Sequence, residues 1–166
     1  MKSPKEIELS EEIKGRNKYL SLAKALLKKD KEEEAILIFK HAIKEMPDDP
    51  FILSYYGCLT AIVEKKASAG VKFCREAIEK LKRSQPLGEF IYPVFYLNLG
   101  RCYMAGGNKK KALEVFNQGL RMDAGYPDLI LEIKKLGLRK KPPISFLPRG
   151  NLLNKYIGLL LSKIKD

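Results

Sequence analysis

The stretch Tyr96-Leu97-Asn98-Leu99-Gly100-Arg101-Cys102-Tyr103, followed by Gly107 and then Ala112-Leu113-Glu114-Val115-Phe116-Asn117-Gln118-Gly119, decides the fold. Its apolar and small residues recur at three and four, the period of an amphipathic helix. Ala105-Gly106-Gly107-Asn108 between the two runs predicts a tight turn, where glycine supplies positive φ. Gly100 is tiny and Phe116 is large. That pairing predicts two helices crossing closely, with the ring filling the space the glycine leaves.

The same order occurs twice upstream. Tyr19, Leu22, Ala23 and Leu26 precede Ala35, Phe39, Ala42 and Pro47. Leu53, Tyr56, Gly57 and Thr60 precede Gly70, Cys74 and Ala77. Each unit reads as helix, turn, helix. Ala35, Gly70 and Ala112 mark where the second helix meets the first; Phe39, Cys74 and Phe116 follow one turn later. The spacing from Ala42 to Ala77 is 35 residues and from Ala77 to Gly119 is 42. About seven residues are thus inserted near 84–93, as a longer connection or an extended helix start. The middle turn, through Lys65-Lys66-Ala67-Ser68, is one residue longer.

These residues resemble the tetratricopeptide repeat, which pairs aromatic-x-x-Leu-Gly-x-x-Tyr with Ala-x-x-x-Phe-x-x-Ala and a closing Pro over about 34 residues. The units fall at about 16–49, 50–85 and 93–126. The third matches best, with Ala124 in place of the Pro. The middle one departs most, since Gly70 and Cys74 are smaller than the pattern. The resemblance implies an all-α fold: a right-handed α-α superhelix of three helix pairs with terminal capping helices. A superhelix of this kind needs covered ends.

In that family the first helix of each pair lines a concave groove. The resemblance places Asn17, Leu20, Lys24, Leu27 and Lys28 of the first unit on the groove wall. From the second it places Phe51, Ser54, Cys58, Ala61 and Ile62. From the third it places Val94, Leu97, Arg101, Met104 and Ala105. The expected ligand is an extended or helical peptide of another protein, with apolar anchors and an acidic group to meet Lys24, Lys28 and Arg101. One subclass captures chaperone tails through a Lys/Asn clamp. The corresponding positions here are Leu20, Lys24, Tyr55, Val94 and Asn98, so most of the clamp is missing. Adaptor, co-chaperone and assembly factor are the roles this implies. The chain's own residues 144–147 compete for the same groove.

The flanks read as follows. Ser3-Pro4-x-Glu6 opens a short leading helix within residues 1–15, and Ser10-Glu11-Glu12 opens a longer one from about 10 to 28. Residues 1–12 lack a signal-type apolar run, and no run approaches the roughly 18 apolar residues of a membrane span. Tyr126-Pro127-Asp128 to Gly137 predicts a closing helix within a basic segment, 127–166. Three prolines at 142–148 make an extended crossing, and 151–165 reads as an amphipathic helix. Residues 127–166 hold nine Lys/Arg and three Asp/Glu, half of the net charge of +12. Three roles stay open for that last helix: packing on the repeats, lying on an anionic membrane surface, or docking on another protein or a second copy as a homo-oligomer.

Composition argues against catalysis. There is one histidine, His41, no Trp, and three scattered cysteines, Cys58, Cys74 and Cys102. Catalytic residues, a metal site and a cofactor are not expected. The cysteines read as buried apolar residues of a reducing, cytoplasmic compartment. Glu32-Glu33-Glu34 complements a helix dipole. A pI near 9.5 raises the question of nucleic acid. However, Lys65-Lys66 and Lys109-Lys110-Lys111 sit in turns, Arg139-Lys140-Lys141 is the remaining cluster, and no RNA-reading motif is present.

Overall fold

In the computed structural model the described backbone covers residues 4–84 and 92–137, with side chains described from residue 11 onward. The chain divides into two compact units, Met1–Ile133 and Lys134–Asp166. Seven helices and no strand occur among the described residues: α1 (Pro4–Leu27), α2 (Glu32–Glu45), α3 (Pro50–Ile62), α4 (Ala67–Ser84), α5 (Pro93–Ala105), α6 (Lys109–Met122) and α7 (Pro127–Lys135).

Helices α1 and α2, α3 and α4, and α5 and α6 pack as antiparallel pairs. Helix α3 also meets α2 and α5, and α4 meets α5, so successive pairs stack. Local chemistry sets the boundaries. Asp49 caps α3, its Oδ1 accepting from the Ile52 amide at 3.0 Å, and Pro50 takes the first helical position. Pro93 starts α5 likewise. Asn108 caps α6 through the Lys111 amide at 3.1 Å. Gly107 and Gly137 close α5 and α7 with φ of 75° and 73°, the left-handed region that glycine enters freely.

The repeat register holds at all three crossings. Ala23, Ala35, Phe39 and Ala42 of the first pair are fully buried. A methyl on Gly100 would fall inside the Phe116 ring. In the middle pair the contact is backbone on backbone: a Cβ on Gly70 would lie 2.5 Å from the Gly57 carbonyl oxygen, and one on Gly57 would lie 2.9 Å from that of Gly70. Two facing glycines draw α3 and α4 closer together, so Cys74 fits one turn later without a phenylalanine's bulk. The middle unit thus departs from the pattern in a self-compensating way.

One expectation fails. The leading helix and the helix from 10 to 28 are a single helix, α1. Ser10-Glu11-Glu12 is a start signal only for a chain not already helical, and no proline follows Pro4 to interrupt it. The insertion lies between the end of α4 and the start of α5; residues 85–91, like the proline-rich crossing and the last amphipathic helix, are outside the described residues. No described helix is long and apolar enough to cross a membrane.

Candidate peptide-binding cleft

A cleft of about 490 Å³ opens along α1, α3, α5 and α7. It is lined by Lys24 and Leu27 of α1, Lys28 in the turn that follows, Tyr55 of α3, Val94, Leu97, Asn98 and Arg101 of α5, and Tyr126 and Asp128 at the start of α7. Half-buried Leu27 and Val94 provide the accessible apolar surface, while Leu97 is only 2% exposed. The Lys24 ammonium lies 5.5 Å from the centre of the Tyr55 ring, which stacks on Phe39 with centroids 5.4 Å apart. A cation over an aromatic face is held in place yet keeps its charge for a ligand. Burial, reinforced by Tyr126, pushes the Tyr55 hydroxyl up, so it stays a neutral hydrogen-bonding group.

Arg101 is placed by its own chain. Its Nε and Nη2 both donate to Glu132 Oε1 of α7, each at 2.9 Å. The closing helix therefore supplies a carboxylate to the cation that sequence reasoning assigned to a ligand. Lys24 of α1 and Lys28 just after it, both exposed, remain the accessible cations of the lining.

The structure brings together Lys24, Leu27, Lys28, Val94, Leu97 and Arg101 of the predicted wall. It places others elsewhere. Ser54 and Cys58 are interior: the Asn98 amide donates to Ser54 Oγ at 3.1 Å, and Cys58 is 4% exposed. Ala61 is fully buried. Leu20 belongs to the first pair's core with Ala23, Phe39 and Ile52. For the α3 positions the reason is geometric: α2, α4 and α5 all pack against that helix. Phe51 packs edge-on against Phe95, centroids 5.0 Å apart, under the Arg16 guanidinium at 4.8 Å. Asn17 and Ala105 are exposed, and Ile62 and Met104 half-buried, outside the lining. Sequence reasoning missed Tyr126 and Asp128 as wall residues because they follow the last repeat and have no counterpart in it.

The remaining chemical candidates are structural. Cys58, Cys74 and Cys102 are buried free thiols, with Cys74 and Cys102 sulfurs 3.5 Å apart. Hydrogen bonding to Cys102, together with burial, pushes the Cys58 thiol well up and away from nucleophilic thiolate. His41 is exposed, 3.1 Å from Glu45 on the same helix.

Comparison with known proteins agrees with this architecture. The tetratricopeptide repeat family model matches residues 19–49 and 94–126 and passes over the middle pair. The TPR repeat-containing protein YpiA of Bacillus subtilis (strain 168) is 31% identical over 129 residues, covering 77% of this chain and 28% of YpiA. The chain thus spans less than a third of that relative. The second TPR domain of human RPAP3, solved in complex with the HSP70 peptide SGPTIEEVD, superposes with a TM-score of 0.51 at 18% identity, covering 71% of this chain and 91% of that one. The first TPR of Spaghetti (RPAP3), bound to the HSP90 peptide SRMEEVD, gives 0.52 at 18%, covering 70% and 87%. At that identity the likeness is one of fold. Interlocked helix pairs, the repeated small-and-large order and the matching family model have one common meaning: the chain is built from tetratricopeptide repeats, matched by that model at residues 19–49 and 94–126.

Proposed function

We propose that this chain is a non-enzymatic protein-interaction module that holds a peptide segment of another protein in the cleft between α1, α3, α5 and α7. One observation carries the reading: the half-buried apolar residues Leu27 and Val94 share a 490 Å³ cleft with the accessible cations Lys24 and Lys28. Apolar anchors would hold the segment, and the lysines would steer an acidic group towards α1. Asp128 and Glu132 lie on the α7 side, so the acidic end of the ligand belongs near α1. Three buried free thiols fit a reducing, cytoplasmic setting.

The structural neighbours were solved with HSP70 and HSP90 peptides, and a co-chaperone role is the finer reading they suggest. The cleft argues for a different ligand, since Leu20 is buried and Tyr55 and Val94 stand at positions the clamp fills with Lys or Asn. The test is parallel affinity capture with mass spectrometry, using the unaltered chain and the Lys24→Glu, Lys28→Glu variant. Both lysines are exposed and have no ion pair among the described residues, so the fold is expected to survive. Partner recovery is expected to fall about tenfold or more as two attractive charges become repulsive. Unchanged recovery would count against the cleft. A titration with the SRMEEVD peptide is expected to show only weak binding, and tight binding would restore the chaperone-tail reading.

A further inference from the structure

We propose that the touching tips of the second and third helix pairs form a surface that docks on an anionic lipid bilayer. The α3–α4 turn carries Lys65 and Lys66, and α6 opens with Lys109, Lys110 and Lys111. The tips meet: a Cβ on Gly106 would lie 3.2 Å from that of Ala67. Arg75 of α4 extends the patch, donating to the Tyr103 hydroxyl at 2.6 Å, while the Lys111 ammonium lies 5.8 Å from the centre of the same ring. Glu64 in the α3–α4 turn is held by Lys40 at 2.5 Å and Lys66 at 3.0 Å, and exposed Glu114 follows Lys110 by four residues, leaving the tips with an excess of lysine. Lys65, Lys109 and Lys110 have no side-chain partner among the described residues.

This charge opposes the fold's own interest. A helix N-terminus favours acids, and α2 has Glu32, Glu33 and Glu34 in its first turn. At the equivalent place in the third pair, α6 has three lysines. That reversal runs against the helix dipole, and of the three lysines only Lys111 has a partner among the described residues, the Tyr103 ring. A bilayer fits better than other polyanions. Leu113 is 41% exposed and follows Lys109 by four residues and Lys110 by three, so an apolar side chain shares a face with the lysines, as at a headgroup boundary. Tyr103 is only 9% exposed and cannot stack on bases.

The test is co-sedimentation of the full chain with phosphatidylcholine vesicles, with and without phosphatidylserine, at low and high salt. Two variants of equal charge are compared: Lys65→Glu, Lys109→Glu, Lys110→Glu at the tips, and Lys14→Glu, Lys18→Glu, Lys44→Glu elsewhere. Circular dichroism checks that each stays folded. The unaltered chain is expected to bind only phosphatidylserine vesicles, releasing at high salt. The tip variant is expected to lose about tenfold or more in partition coefficient, and the other variant much less. Equal losses in both folded variants, no binding by the unaltered chain at low salt, or binding to nucleic acid in place of vesicles would overturn the proposal.

Discussion

Phe116→Ala is expected to lower the unfolding free energy by about 3–5 kcal/mol. The ring is fully buried and lies over Gly100 on the facing helix. Removing it deletes a large apolar surface and leaves a cavity that α5 cannot fill, because Gly100 has no side chain to move into it. Neighbouring Leu129, itself fully buried, packs against Gly119 one turn further on and is held there by α7. The loss is a large fraction of the roughly 5–15 kcal/mol that stabilises an ordinary domain. Urea denaturation followed by circular dichroism measures it. A cost under about 1 kcal/mol, typical of a surface site, would be incompatible with the packing.

Gly70→Ala is the second large effect, and its cause differs. Alanine favours a helix over glycine by about 1 kcal/mol, so propensity alone predicts stabilisation. The structure predicts the opposite sign. The new methyl would lie 2.5 Å from the Gly57 carbonyl oxygen and 2.7 Å from the Ala61 Cβ. Backbone cannot swing aside as a side-chain tip does, so α3 and α4 must separate. The expected net loss is about 2–3 kcal/mol, at the upper end of overpacking costs. The same denaturation experiment reads it, and a gain in stability would show that the two helices do not cross at these glycines.

The fold was legible because each crossing is written as a pair of residue sizes. Gly57, Gly70 and Gly100 lie against facing helices as the spacing requires. The cleft was legible only in part. Repeat position tells which face of α3 a residue occupies, but not that α5 covers that face; hence Ser54 and Cys58 became interior. Arg101 was read as a ligand cation because its partner, Glu132, comes from a helix after the repeats, where periodicity carries no positional information. The single helix α1 was read as two because a capping signature was given weight without a breaker before it.

The central claim, that small and large side chains interlock between paired helices, is tested most directly by a double-mutant cycle on Gly100→Ala and Phe116→Ala, with unfolding free energies measured in urea. Each change alone destabilises, the first by forcing a methyl into the ring and the second by leaving a void. Together they relieve one another, since the methyl enters space the ring has left. The account predicts that the double variant is more stable than the sum of the single losses by about 1–3 kcal/mol. Additivity to within about 0.5 kcal/mol would mean that the two residues do not meet, and would contradict it.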